Sequence, residues 1–122
     1  MRVAVCDDSP GFPMLVSAWL ETDARFASVG VAHAGERLRA LVAAEAPDVV
    51  VLDLLIPDVP DPPALVRELR QLCDGIRVVM VSSLPEDSLA GAAASAGADA
   101  FLNKSASPDT LLELLHRVTR GR

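Results

Sequence analysis

The sequence predicts one α/β domain, a parallel five-stranded sheet with helices packed on both of its faces. Two observations carry this. Short apolar runs alternate with segments of helical periodicity from end to end, five times over. The strongest run, Val49-Val50-Val51-Leu52, is uniformly apolar and mostly β-branched, as a strand covered on both faces must be. At 122 residues the chain is long enough for one domain with a proper core and too short for two.

The elements follow in order. Arg2–Cys6 is a short Val-rich strand bounded by Asp-Asp-Ser-Pro-Gly. Phe12, Val16, Trp19 and Leu20 recur at helical spacing, with Trp19 expected in the core. Ser28–Ala32 reads as a second strand, and Leu38, Leu41 and Val42 mark a second helix closed by Pro47. After 49–52 comes a Pro-rich loop, Ile56-Pro57-Asp58-Val59-Pro60-Asp61-Pro62-Pro63. Leu65, Val66, Leu69 and Leu72 define a third helix. Arg77–Val81 is a buried-type strand ending at Ser82-Ser83. Glu86–Ala96 is an Ala-rich helix with Gly91 as a weak point. Ala100-Phe101-Leu102 forms a fifth strand before Asn103-Lys104, and Ser107-Pro108-Asp109 starts a last helix with Leu111, Leu115 and Val118 on its apolar face.

Half of the residues are hydrophobic, yet no apolar run approaches the length of a membrane span, and Met1-Arg2-Val3 does not open a secretory signal. These features suggest a cytoplasmic globule with no membrane contact. A formal charge of −6 argues against direct binding of a nucleic-acid backbone. Cys6 and Cys73 lack metal-like spacing and read as buried or half-buried hydrophobes. His33 and His116 have no acidic or cysteine companions at useful spacing and are expected at the surface. Acidic residues cluster at positions 7, 8, 53 and 58.

In an open α/β sheet, ligands bind outside the carboxyl ends of the strands where strand order reverses. The residues at those ends are Asp7 and Asp8, Asp53, Ser82 and Lys104. Adjacent carboxylates raise each other's pKa or recruit a cation. Taken alone, Asp7 and Asp8 could be solvated carboxylates at a helix N-terminus; with Asp53 and Lys104 beside them, a shared divalent cation is the better reading. Mg²⁺ fits, since it takes oxygen ligands, and no His or Cys cluster competes for a softer metal. Asp53 then has an oxygen free to attack phosphorus, with Lys104 and the Ser82 hydroxyl available to the transferring group.

The motifs "CDDSP", "VVVLDLLIPD", "VVMVSS" and "GADAFLNKS" resemble, in order and spacing, those of the receiver domain of bacterial two-component response regulators. The resemblance runs from about Arg2 to Val118 and is closest to regulators with a helix-turn-helix output domain. It implies a doubly wound, flavodoxin-like (βα)5 fold with strand order 2-1-3-4-5. It implies that Asp53 accepts a phosphoryl group from a sensor histidine kinase in a Mg²⁺-dependent reaction, as a switch and not a multiple-turnover enzyme. By the same resemblance Asp8 is a direct metal ligand, Asp7 acts through water, and the backbone carbonyl of Leu55 completes the set. Ser82 corresponds to the switch hydroxyl, Lys104 to the conserved lysine and Phe101 to the aromatic switch; from its surroundings alone Phe101 reads as a core ring. The further expectations are a receiver domain over residues 1–118 and a helix end or linker start over 119–122. Transcriptional control, a homodimer on phosphorylation, and DNA contact only through an output domain absent from this chain complete them.

Departures from the family pattern are local. The usual Met-Pro-x-Met-Asp-Gly stretch is replaced by a longer loop without Gly and with three added prolines. Pro13 sits early in the first helix, where it is tolerated. Ser105 replaces the Pro that often follows the lysine; a cis bond before it would cost a non-proline residue about 3–4 kcal/mol. Two other functions compete. A pseudo-receiver would bind a partner through the altered loop without phosphorylation. An aspartate-nucleophile phosphatase would need a second acid two residues after the nucleophile, where this chain has Leu55.

Overall fold

The computed structural model describes residues 1–120. Five strands and five helices alternate: β1 (Arg2–Cys6), α1 (Gly11–Glu21), β2 (Ala27–Ala32), α2 (Gly35–Glu45), β3 (Val49–Asp53), α3 (Pro62–Leu72), β4 (Arg77–Ser82), α4 (Glu86–Ala96), β5 (Ala100–Asn103) and α5 (Pro108–Thr119). The strands form one parallel sheet in the order β2-β1-β3-β4-β5, as the family resemblance implies. Positions 121–122, half of the stretch expected to be a helix end or linker start, lie outside the described residues.

Alternation of side chains along each strand divides the core into two layers. Ala4, Cys6, Val50, Leu52, Val78 and Met80 face one side, where Leu38, Leu65, Leu69 and Leu89 cover them from α2, α3 and α4. Val3, Val5, Val49, Val51, Val79 and Val81 face the other, under Val16 and Leu20 of α1 and Leu111 and Leu115 of α5. All five residues of β3 are buried, which explains the uninterrupted apolar run. The edge strand β2 buries only Ala32 of its six residues, and its pairing with β1 slips by one residue between Val3 and Ala4, leaving Val29 as the extra residue of a bulge.

The helix ends show which local signals acted. Ser107 caps α5 by accepting from the Thr110 amide at 3.2 Å, and Asp61 caps α3 by accepting from Ala64 at 3.4 Å. Helix α2 ends at Ala46 in the left-handed region (φ 44°), so a residue ahead of Pro47 makes the turn. Helix α4 ends at Gly97 (φ 80°), where glycine takes the left-handed conformation without the Cβ penalty. Helix α4 buries only Leu89, Ala93 and Ala96.

Several expectations need correction. Three strands run one residue further than the apolar runs, so that Asp53, Ser82 and Asn103 close them. Trp19 is half-buried against the α1/α5 layer and not an interior residue. His116 is also half-buried, with a buried Nδ1, because one turn of α5 carries it toward the sheet; His33 is exposed. The bond before Ser105, which the sequence leaves open, is trans, as is every other peptide bond among the described residues.

Candidate functional site

The carboxyl ends of β1, β3, β4 and β5 converge on one crevice. Adjacent strands pair in parallel register, Cys6 with Leu52, Asp53 with Val81 and Ser82 with Asn103, so the residues that close them lie side by side. Backbone bonds tie the emerging loops down: Asp7 N–H to Ala32 O (3.0 Å), Leu54 N–H to Val81 O (3.0 Å) and Lys104 N–H to Ser82 O (3.0 Å). The expected residues are therefore brought together by sheet pairing and not by loop packing.

Asp7 is fully buried, Asp53 is 6% exposed, and Asp8 is exposed at the mouth. Lys104 Nζ lies 2.6 Å from Asp7 Oδ2 and 3.5 Å from Asp53 Oδ2. Asp7 Oδ1 accepts from the Ser9 amide and hydroxyl, both at 3.0 Å, while Asp53 Oδ1 accepts from the Leu55 amide at 3.4 Å. The Ser82 hydroxyl oxygen is buried and accepts from the Leu84 amide at 3.1 Å, which leaves its hydrogen to donate. Phe101 is half-buried beside the α2/α3/α4 layer. Leu55 is 63% exposed and Leu84 is half-buried.

Electrostatics separates the two interior carboxylates. Burial pushes Asp7 up, but the Lys104 ammonium and the two Ser9 donors outweigh it and hold Asp7 below the usual carboxylate range. Burial and the neighbouring Asp7 charge push Asp53 up, and Lys104 offsets this only in part. Burial pulls Lys104 down, yet Asp7 and Asp53 together raise it, so it stays charged. Burial and the surrounding carboxylates push the Cys6 thiol up to about 12, which makes it an inert apolar group at neutral pH.

Asp7, Asp8 and Asp53 each offer a carboxylate oxygen, all within 4.8 Å of one another. Asp7 Oδ2 takes the Lys104 ammonium at 2.6 Å and keeps a further lone pair, and Asp8 stands exposed at the mouth. Hard oxygen donors with spare acceptor capacity fit a small divalent cation of the Mg²⁺ kind. Asp58, grouped with these acids on sequence grounds, supplies no oxygen to this cluster, though its charge is felt at Cys6. Its carboxylate accepts from the amides of Gly35 (2.8 Å) and Glu36 (3.2 Å), and these bonds hold it below the usual range.

Three more residues serve the site that sequence reasoning did not single out. The Phe12 ring stands 5.2 Å from Lys104 Nζ, within cation–π range. His33 Nδ1 lies 2.9 Å from the Asp7 carbonyl; since a carbonyl can only accept, this nitrogen carries the hydrogen. Asn103 donates to Leu84 O (2.9 Å) and accepts from the Ser105 amide (2.9 Å), joining the loops after β4 and β5. The spacing of these three carries no signal; the uncapped start of α2 at Ala34-Gly35 carries one for Asp58, since such amides need an acceptor from elsewhere.

Residues 3–116 match the response regulator receiver domain family. The transcriptional activator protein ExaE of Pseudomonas putida is 31% identical over 121 residues, covering 99% of this chain and 56% of that protein. A protein-glutamate methylesterase/protein-glutamine glutaminase of Myxococcus xanthus is 35% identical over 107 residues, covering 85% of this chain and 30% of that protein. The chain thus spans about half the length of the first relative and under a third of the second. Among solved structures, the signal receiver domain of NarL from Mycobacterium tuberculosis superposes with a TM-score of 0.87 at 29% identity, covering 99% of this chain and 97% of that one.

Proposed function

The chain belongs to the response regulator receiver domain family, and from that premise we propose that it is a phosphorylation-driven switch with Asp53 as the acceptor. The observation that carries this reading is the packing of three carboxylates within 4.8 Å of one another, with Lys104 reaching both Asp7 and Asp53. In the transfer, an Asp53 carboxylate oxygen forms a bond to the phosphorus of a phosphohistidine as the N–P bond breaks, and the imidazole nitrogen keeps the electron pair.

Asp7, Asp8, Asp53 and the Leu55 carbonyl would hold Mg²⁺, which when bound neutralises charge on the phosphoryl oxygens. Lys104, already poised beside Asp53, supplies a second positive charge. The Ser82 hydroxyl, with its hydrogen uncommitted, donates to a phosphoryl oxygen, and the Phe101 ring responds to that movement. The partner is a sensor histidine kinase, the compartment the cytoplasm, and the step a single transfer per cycle. The match to ExaE, named a transcriptional activator, favours transcriptional control through an output domain that contacts DNA, with a homodimer formed on phosphorylation. The methylesterase match makes an enzymatic output the alternative.

One observation favours the pseudo-receiver reading. The Pro-rich loop carries an open, mostly apolar surface depression of about 480 Å³ lined by Leu54, Leu55, Ile56, Val59, Pro60 and Pro62. Incubation with Mg²⁺ and a small acyl phosphate, followed by intact mass, separates the two. A phosphoryl adduct that disappears in Asp53→Ala supports the switch. Its absence from the native protein supports the binding module.

A further inference from the structure

The loop after β3 is fastened at both ends. Its start is fixed by β3 and by the bond from Leu54 N–H to Val81 O. Its far side is fixed by Asp58, whose two carboxylate oxygens take the Gly35 and Glu36 amides at 2.8 and 3.2 Å. Leu55 lies between these anchors, and the Val59 amide donates to Ile56 O at 2.9 Å, closing the loop into a turn. The start of α2 is built to receive it. Ala34 caps this helix without a side-chain acceptor, so its first amides are free for Asp58. A Cβ at Gly35 would sit 2.5 Å from Val59 Cγ2, a closeness that only glycine allows. The same β2–α2 turn reaches the other acidic loop, since His33 Nδ1 bonds the Asp7 carbonyl at 2.9 Å.

We propose that Asp58 is a positioning residue for the divalent cation: by pinning the β3–α3 loop to the start of α2 it holds the Leu55 carbonyl where the cation needs it. The proposal rests on the functional reading above and adds a residue that reading does not use. Asp58 supplies no oxygen to the acidic cluster, and although its charge reaches as far as Cys6, Asp58→Asn removes that charge and keeps an acceptor, so the pair of variants separates loop from charge. Outer-shell partners commonly change metal affinity by about 10–100-fold, and one that acts on a backbone carbonyl belongs at the low end.

The test is calorimetric titration of the native protein and its variants with Mg²⁺, with phosphoryl uptake from a small acyl phosphate measured across Mg²⁺ concentration. Asp58→Ala is expected to weaken Mg²⁺ about tenfold, with the uptake rate restored at saturating Mg²⁺. Asp58→Asn, which keeps one acceptor, falls in between and carries the test if the alanine variant does not fold. Asp61→Ala is the control: it removes a helix cap on the same loop, lowers the melting temperature and leaves Mg²⁺ affinity unchanged. Native affinity in Asp58→Ala, or an equal loss in Asp61→Ala, overturns the proposal and leaves the functional reading standing. A native protein that neither binds Mg²⁺ nor takes up phosphoryl overturns both.

Discussion

Lys104 and Asp7 form a 2.6 Å ion pair in which the aspartate side chain has no exposed surface and the lysine side chain is 19% exposed. The same ammonium is the only cation paired with Asp53 among the described residues. Replacing Lys104 by Met strands two interior carboxylates. A loss of roughly 1–3 kcal/mol is expected, the cost of leaving a buried polar group unsatisfied, and the open mouth keeps it from being larger. Urea unfolding reads it directly. A Lys104→Met variant as stable as the native protein contradicts the pairing, and added Mg²⁺ is expected to recover part of the loss.

Asp7 and Asp53 pull in opposite directions as pH falls. Asp53 is raised, so its ionisation weakens the fold at neutral pH, and this penalty is relieved as pH drops through its folded value toward the ordinary 3.8. Asp7 is lowered, so its contribution is complete above 3.8 and is lost as pH falls below that through its folded value. Asp23, held down by Arg25, and Asp58 add to this acid loss. Without Mg²⁺ the melting temperature is expected to rise on mild acidification and then fall. In Asp53→Asn the rise disappears and the fall remains; a rise that persists would mean another group causes it.

Mg²⁺ is expected to raise the melting temperature in proportion to RT ln(1 + [L]/Kd), about 2.7 kcal/mol at a hundredfold excess over Kd. Asp8→Asn should remove most of this gain and Asp7→Asn less, because Asp8 is exposed and unpaired among the described residues while Asp7 is already engaged by Lys104 and Ser9. Thermal scans with and without Mg²⁺ decide it. A gain that survives in Asp8→Asn moves the metal away from Asp8.

The phosphorylated state is expected to be long-lived. Water must be oriented for in-line attack on an acyl phosphate, and a nearby polar side chain speeds this. Leu55 and Leu84, two residues beyond Asp53 and Ser82, offer no hydrogen bond from their side chains. Replacing Leu55 with Glu or Asn should hasten loss of the phosphoryl group after the donor is removed. A native half-life of seconds, unchanged in these variants, would falsify this account.

Much of this was legible in the sequence because strand ends are marked by abrupt changes of chemistry. Asp7, Asp53, Ser82 and Lys104 each interrupt or follow an apolar run, and sheet pairing alone brings them together. What stayed hidden depends on which loops touch. Asp58 is one more acid in the sequence, and only the fold shows that it serves the start of α2. Phe12 has core periodicity, yet its ring also faces Lys104. His116 reads as a surface residue until the pitch of α5 turns it half inward. Contacts between distant loops leave no period behind, so composition and spacing miss them.

The helices that cover the sheet are unequally anchored, and the inequality has a direction. Leu89 is the only side chain larger than alanine that α4 buries, whereas α3 buries Leu65, Val66 and Leu69, and α5 buries four leucines. Each fully buried Leu is worth about 1.5–3 kcal/mol of transfer free energy and each methyl far less. Helix α4 is therefore the panel that can slide or lift at least expense, while the opposite layer keeps the sheet intact. Mechanical work done at Asp53 would be released along this seam, because Ser82 ends the strand that leads straight into it.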